Sequence, residues 1–295
     1  METEATYFLK NKYLNVTIDA KGAELTSIRT DQLEYMWQAD PQFWGRHAPI
    51  LFPIVGRLVD HEYVYKGKTY SMSQHGFARN HDFKLIAKTE NSITLELTAT
   101  DESKEIYPFD FVLQVKYTLS ERKLTTEYKV FNPSNKDNLY FSIGAHPAFN
   151  CPFEAGQKRS DYQLVFDKKT APQALLHVNG LYEGGLCSVV KPEGTIDISD
   201  DLFDNDSFTF SPNPFSKVTF EHKSSQKNYL SVAFENYPFL AIWSKSDTSP
   251  FVCIEPWHGI ADRKDHDKEF TQKEGIKKLP PKGEFSCSFV VEVYV

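Results

Sequence analysis

The chain has 295 residues, 40% of them apolar and 25% charged, with a formal net charge of −7. This is the balance of a folded domain, and an acidic chain without a basic stripe lacks the positive surface that a nucleic acid requires, so no nucleic-acid partner is expected. No apolar run approaches the roughly 20 residues of a membrane helix, and the opening METEATYFLK has no apolar signal core, so the expectation is a cytoplasmic protein with no membrane partner.

Taken in chain order, the dominant hydrophobic period is two. LNVTID (14–19) alternates first. SITLELTAT (92–100) turns Ile93, Leu95, Leu97 and Ala99 one way, and FVLQVKYTL (111–119) does the same with Phe111, Leu113, Val115, Tyr117 and Leu119. KLTTEYKVF, the run LYFSIGAHPAFN (139–150), DYQLVF, KVTFEH, YLSVAF, FLAIWS and FVCIE follow. The alternation closes on Phe285, Cys287, Phe289, Val291, Val293 and Val295. Turn signals separate the runs at Asn132-Pro133-Ser134, Asn179-Gly180, Ser211-Pro212-Asn213-Pro214 and Pro280-Pro281-Lys282-Gly283. Short helices are expected only near 40–48 and 101–107. The fold class that follows is all-β, a large antiparallel β-sandwich forming a single domain over 1–295, with few short helices.

The sequence has no GxGxxG before a helix, no phosphate-binding GxxxxGK[ST], no HExxH and no GxSxG, which argues against dinucleotide enzymes, P-loop NTPases, zincins and α/β-hydrolases. Cys151, Cys187, Cys253 and Cys287 form no CxxC pair and read as reduced thiols. The run DRKDHDKEF (262–270) holds Asp262, Asp265, His266, Asp267 and Glu269, and reads as a solvated charged loop rather than a metal cluster. His47, His81, His177 and His222 read as surface or core histidines. Trp257 and Trp37 are core residues or stacking platforms for a sugar, which composition does not separate.

Four segments embed polar groups in apolar or glycine-rich surroundings: Phe52-Pro53-Ile54-Val55-Gly56-Arg57, Gln74-His75-Gly76-Phe77-Ala78-Arg79, Gly144-Ala145-His146-Pro147 and Ile254-Glu255-Pro256-Trp257-His258-Gly259. His146 and Glu255 each end an apolar strand-like run and each precede a proline. A residue before proline is held extended, and proline cannot continue a central ladder. Both side chains are therefore expected to leave the sheet at strand ends. An imidazole and a carboxylate are a general acid and a general base, and no serine or cysteine with a neighbouring base stands out as a nucleophile.

Together, APILFPIVGRL (48–58), HGFAR (75–79), GAHPAFN (144–150), LFDND (202–206) and IEPWHG (254–259) resemble the aldose 1-epimerase (mutarotase) family, most closely its LacX-like branch. The resemblance spans nearly the whole chain. It implies a galactose mutarotase-like β-sandwich and interconversion of the α and β anomers of a small-molecule sugar, with no cofactor and no metal. Carried over by position, it makes Glu255 the base at the C1 hydroxyl and His146 the acid at the ring oxygen, the two poised across a pyranose. It makes His75 the second site histidine, Arg57 a substrate-binding group, and Asp206, with Asp204 close by, the holder of a distal hydroxyl. HGFAR also resembles hexose-6-phosphate 1-epimerases, for which Arg46, Arg57 and Arg79 are candidates for a phosphate clamp. A non-catalytic sugar-binding or sensor protein on the same fold is the competing class. Either a monomer or a homodimer is compatible with the sequence.

Overall fold

The computed structural model describes residues 5–204, 206–246 and 248–294. Two large antiparallel sheets dominate it. One has nine strands, in the order Thr195–Asp197, Tyr162–Phe166, Lys217–His222, Lys227–Ala233, Glu284–Val293, Lys123–Phe131, Val112–Ser120, Ser92–Thr98 and Lys84–Lys88. The other runs Leu181–Cys187, Ala174–Val178, Phe208–Phe210, Phe239–Trp243, Phe251–His258, Ile143–Ala145 and Ile50–Leu51, with Ala148–Asn150 pairing to Phe251–His258 off this path. A three-stranded sheet (Thr6–Lys10, Asn15–Asp19, Leu25–Arg29) and two hairpin-sized pairs complete it.

The alternation read from the sequence appears as alternating burial. Ser92–Thr98 buries Ile93, Leu95 and Leu97, and Val112–Ser120 buries Leu113, Val115, Tyr117 and Leu119. Glu284–Val293 buries Phe289, Val291 and Val293, whereas Phe285 and Cys287 are only partly covered; Val295 lies outside the described residues. The buried faces meet through aromatic rings. Phe166 approaches Phe210 at 6.0 Å, Phe52 approaches Phe111 at 5.1 Å, and Phe141 approaches Phe285 at 5.6 Å, spacings at which ring pairs attract beyond simple burial. One apolar cluster runs from Leu9 to Val293.

Among the described residues one α-helix forms, Asp101–Ile106, where one was expected. Thr100 and Ser103 cap it reciprocally: Thr100 Oγ1 accepts from the Ser103 N–H (3.1 Å) and Ser103 Oγ accepts from the Thr100 N–H (2.9 Å). The helix expected near 40–48 does not form. Phe43 and Trp44 N–H groups both close on Asp40 O in a single turn, and Gly45 and Pro49 follow too soon for a second. No helix among the described residues is long and apolar enough to cross a membrane.

Candidate active site

The site is built on a break in strand pairing. Along the strand Phe251–His258, Trp257 and His258 pair with Gly144 and Ile143, while Cys253 and Val252 pair with Ala148 and Phe149. Between these two ladders His146 and Pro147 leave the sheet, and only the Ile254 N–H bonds back, to Pro147 O at 3.2 Å. Glu255 stands opposite that gap, its other side paired with Ala241. The expectation that Glu255 ends a strand is thus corrected. The strand continues through Pro256 to His258, and the prolines after His146 and Glu255 serve one shared break. It survives there because the chain facing Pro256 has itself left the ladder, so the missing N–H strands no acceptor.

Strand alternation then sets Cys253, Glu255 and Trp257 on one face. Gly144 makes room for this face. A Cβ on it would lie 2.5 Å from Trp257 Cδ1, and the Trp257 indole N–H donates to Ala145 O at 3.2 Å, next to His146. The His146 imidazole is wedged by rings, stacked on Trp44 at 4.8 Å and edge-on to Trp243 at 5.4 Å and His75 at 5.6 Å. Its Nε2 lies 3.2 Å from Glu255 Oε2. Glu255 is 1% exposed and His146 7%. Oε2 is in contact with the imidazole but accepts no aligned hydrogen bond, which leaves it open to a donor arriving from the cleft. The imidazole and the carboxylate are therefore side by side rather than on opposite sides of a ring-sized gap. That suits a hemiacetal, whose hydroxyl and ring oxygen are both attached to C1.

His75 is gripped by the 52–56 segment. Its N–H bonds Gly56 O (2.9 Å), its carbonyl accepts from Phe52 N (3.2 Å), and its Nδ1 accepts from Gly56 N (3.1 Å). Because a backbone N–H is always a donor, Nδ1 is unprotonated and the ring proton sits on Nε2. His75 is thus a neutral donor. Its φ is +67° and that of Asp206 is +70°, and non-glycine residues in this region concentrate at functional sites. Gly76, at φ +70°, has no room for a side chain: a Cβ would lie 2.3 Å from Phe52 O.

These groups border a cleft of about 360 Å³, within the roughly 300–1,000 Å³ of small-molecule sites. Glu255, His146, His75, Asp206, Arg79 and Trp257 all line it. Arg57 does not. Its guanidinium donates to Asn179 O at 2.6 Å and its stem lies against Gly180, so it braces the loop at the rim. Asp206 lines the cleft and Asp204 does not; Asn205 lies outside the described residues. His177 also faces the cleft, contrary to the surface-or-core reading, with Nδ1 2.7 Å from Ser207 Oγ. Trp44, Trp243, Gln74, Ser207 and Lys245 also line it and had not been singled out. Trp243 shares a strand face with Ala241, the partner of Glu255, so only knowledge of strand order could have brought it forward. Trp37 belongs to the core.

Burial sets the protonation states. It pushes His146 down to about 3, helped by the charges of Arg79 and Arg46, and pushes Glu255 well above the usual carboxylate range, with Asp206 adding like-charge repulsion. Burial and then His146 hold His75 well below 6.5, and burial holds His177 near 4. Burial thus favours the neutral form of each group, and a proton held across the Glu255–His146 contact belongs to the pair. Arg79 is depressed to about 10 by burial and by Arg46. Neither guanidinium is ion-paired with a carboxylate among the described residues: Arg79 donates to Gln74 O and Arg46 to Asn80 Oδ1. In the 262–269 run, Asp262 is not solvated. It is buried, accepting from Lys273 Nζ (2.8 Å) and the Val59 N–H (3.0 Å) just behind the cleft residue Ala261.

An antiparallel two-sheet sandwich with this cleft is the architecture of the galactose mutarotase-like proteins. The solved structure of a galactose mutarotase related enzyme from Lactobacillus acidophilus superimposes with a TM-score of 0.92 at 36% identity, over 99% of this chain and 98% of that one. A galactose mutarotase-like protein from Lactobacillus casei gives 0.91 at 28% identity, over 98% and 100%. Protein LacX (chromosomal) of Lactococcus lactis is 35% identical over 285 residues, 94% of this chain and 95% of its own. The sequence matches the aldose 1-epimerase family over residues 5–276, and the chain belongs to that family.

Proposed function

We propose that the protein is an aldose 1-epimerase that opens and recloses a hexose ring with Glu255 and His146. The carrying observation is the 3.2 Å contact of His146 Nε2 with Glu255 Oε2, buried in the wall of a sugar-sized cleft. With the pair's shared proton on His146, Glu255 takes the proton from the C1 hydroxyl and His146 delivers its own to the ring oxygen. The C1–O5 bond breaks, C1 becomes the aldehyde carbon, rotation about C1–C2 presents its other face, and the same groups run in reverse. Only protons move, so the step calls for no cofactor. His75 donates from Nε2, Asp206 accepts a distal hydroxyl, and Trp44, Trp243 and Trp257 offer apolar ring faces. The core cluster from Leu9 to Val293 supports reading the chain as one domain.

A second reading has its own observation. Arg79 and Arg46, unpaired with any carboxylate among the described residues, bear on His146, and Lys245 stands in the lining without an ion-pair partner among the described residues. Uncompensated cations beside the group assigned to the ring oxygen favour an anionic substituent on C6, the exocyclic carbon carried by C5, which is that oxygen's ring neighbour opposite C1, so a hexose 6-phosphate is the alternative substrate. Polarimetry of freshly dissolved α-D-galactose and α-D-glucose, and a parallel assay with α-glucose 6-phosphate, separates the two. Faster equilibration of the neutral sugars supports the first. Acceleration confined to the phosphate and lost in Arg79→Ala supports the second. Background rates throughout would leave a sugar-binding protein.

A further inference from the structure

Among the described residues, one group of three metal-ligand side chains converges, and it includes the acid–base pair. His146, Cys253 and Glu255 are all buried, and one ligand atom from each lies within 4.8 Å of the others. The thiol is there because Cys253 and Glu255 are two apart on one strand and share its face. Nothing in the proton transfers above uses it. We propose that these three residues form an inhibitory site for a thiophilic divalent cation of the Zn²⁺ or Cd²⁺ kind.

The donor set is imidazole nitrogen, thiolate sulfur and carboxylate oxygen, each a ligand that zinc takes at about 2.0–2.3 Å. A tetrahedral set with those bonds needs ligand atoms about 3.3–3.7 Å apart. The His146–Glu255 separation is already 3.2 Å, and the others close by about an ångström at most. Glu255 Oε2 is buried without a hydrogen bond, so it gives up no partner on binding. The metal displaces the thiol proton and the proton shared by Glu255 and His146, leaving thiolate and carboxylate with two negative charges against its two positive ones. Asp206 adds attraction. Arg79 and Arg46, which bear on His146, oppose it, and His75 stands edge-on to the ring. Three protein ligands leave the fourth position to water. A cation held there occupies the two atoms that exchange protons with the sugar, so turnover stops.

Binding at this site stands apart from the proposed activity; only the inhibition arm rests on it. The test therefore has two readouts on the full chain. First, Co²⁺ is titrated into wild type, Cys253→Ala, Cys253→Ser and His146→Asn, each checked for folding by thermal denaturation. A near-ultraviolet thiolate-to-cobalt charge-transfer band is expected in wild type and absent in all three variants. Second, mutarotation is measured with added Zn²⁺ and after EDTA. Reversible inhibition is expected in wild type, weakened by about 100-fold or more in both Cys253 variants, each scored against its own metal-free rate, and relieved by excess sugar. A cobalt–thiolate band that survives Cys253 replacement, or its absence from wild type, overturns the site. An intact Cys253-dependent band in a protein with no mutarotase activity would instead overturn the proposed function and leave the metal site standing.

Discussion

Replacing Gly144 with alanine tests whether the backbone break aims His146. The added Cβ would lie 2.5 Å from Trp257 Cδ1, 3.2 Å from Trp257 Cγ and 3.3 Å from Val55 Cγ2. Carbon atoms pack at about 3.5–4.0 Å, so the indole or the 143–145 strand must shift by about an ångström. Alanine recovers about 0.5–1 kcal/mol of backbone entropy in a strand, but overpacking costs about 1–3 kcal/mol, so the net effect is a loss. The indole bond to Ala145 O lengthens, and His146 is the next residue. A displacement of about 1 Å at a reacting group lowers rate by about 10²-fold. Urea denaturation should show a lower midpoint with an unchanged slope, and polarimetry of the still-folded protein a kcat reduced by about 10–100-fold. Wild-type kcat in a Gly144→Ala protein would refute the positioning argument.

The pH profile follows from the pair holding one proton. With burial pushing His146 down to about 3 and Glu255 well up, kcat/KM should stay level from neutrality to about pH 4 and fall as rising pH strips the pair; an acid limb near 6.5, the value of a solvated histidine, would contradict it. The linkage to stability has its own sign. The native imidazole is held neutral, so its contribution is complete above 6.5 and declines as pH falls toward 3, which acid titration of the folded state by fluorescence checks. Lys273→Met strands Asp262 in the core and should lower stability by about 3–5 kcal/mol, with part recovered in Asp262→Asn/Lys273→Met; equal denaturation curves for Lys273→Met and wild type would refute the buried pair. His75→Phe leaves the Gly56 N–H unpaired and removes a donor from the cleft, so about 1–3 kcal/mol of stability and a higher KM are expected, read by denaturation and by initial rates.

The period-two pattern located strands of the nine-stranded sheet such as Ser92–Thr98 because one face is buried and the other is not, as Ile93, Leu95 and Leu97 illustrate, whereas Phe251–His258 is buried throughout. What the sequence could not carry was strand order. Glu255 and His146 looked like two separate strand ends, since each precedes a proline; only the register shows the two prolines meeting at one gap. The same ignorance of neighbours hid Trp44, Trp243 and His177, which reach the cleft from three different segments. Arg57 lies outside the cleft lining for a local reason. Its placement after an apolar run resembles that of a site residue, but the Asn179 carbonyl takes its guanidinium. Asp262 belongs to a charged run and would be solvated but for Lys273, eleven residues on. His75 was legible as a site residue, whereas its fixed tautomer depends on the Gly56 N–H.

The central claim is that Glu255 and His146 exchange protons with the C1 hydroxyl and the ring oxygen. It is tested most directly by magnetisation-exchange NMR between the α and β anomeric protons of a hexose at equilibrium, with wild type, Glu255→Gln and His146→Asn. Each group should contribute about 10²–10⁴-fold. The expected result is exchange well above background in wild type, with either substitution lowering it by at least the smaller of those factors in a folded protein. Exchange in either variant at the wild-type rate would contradict the claim.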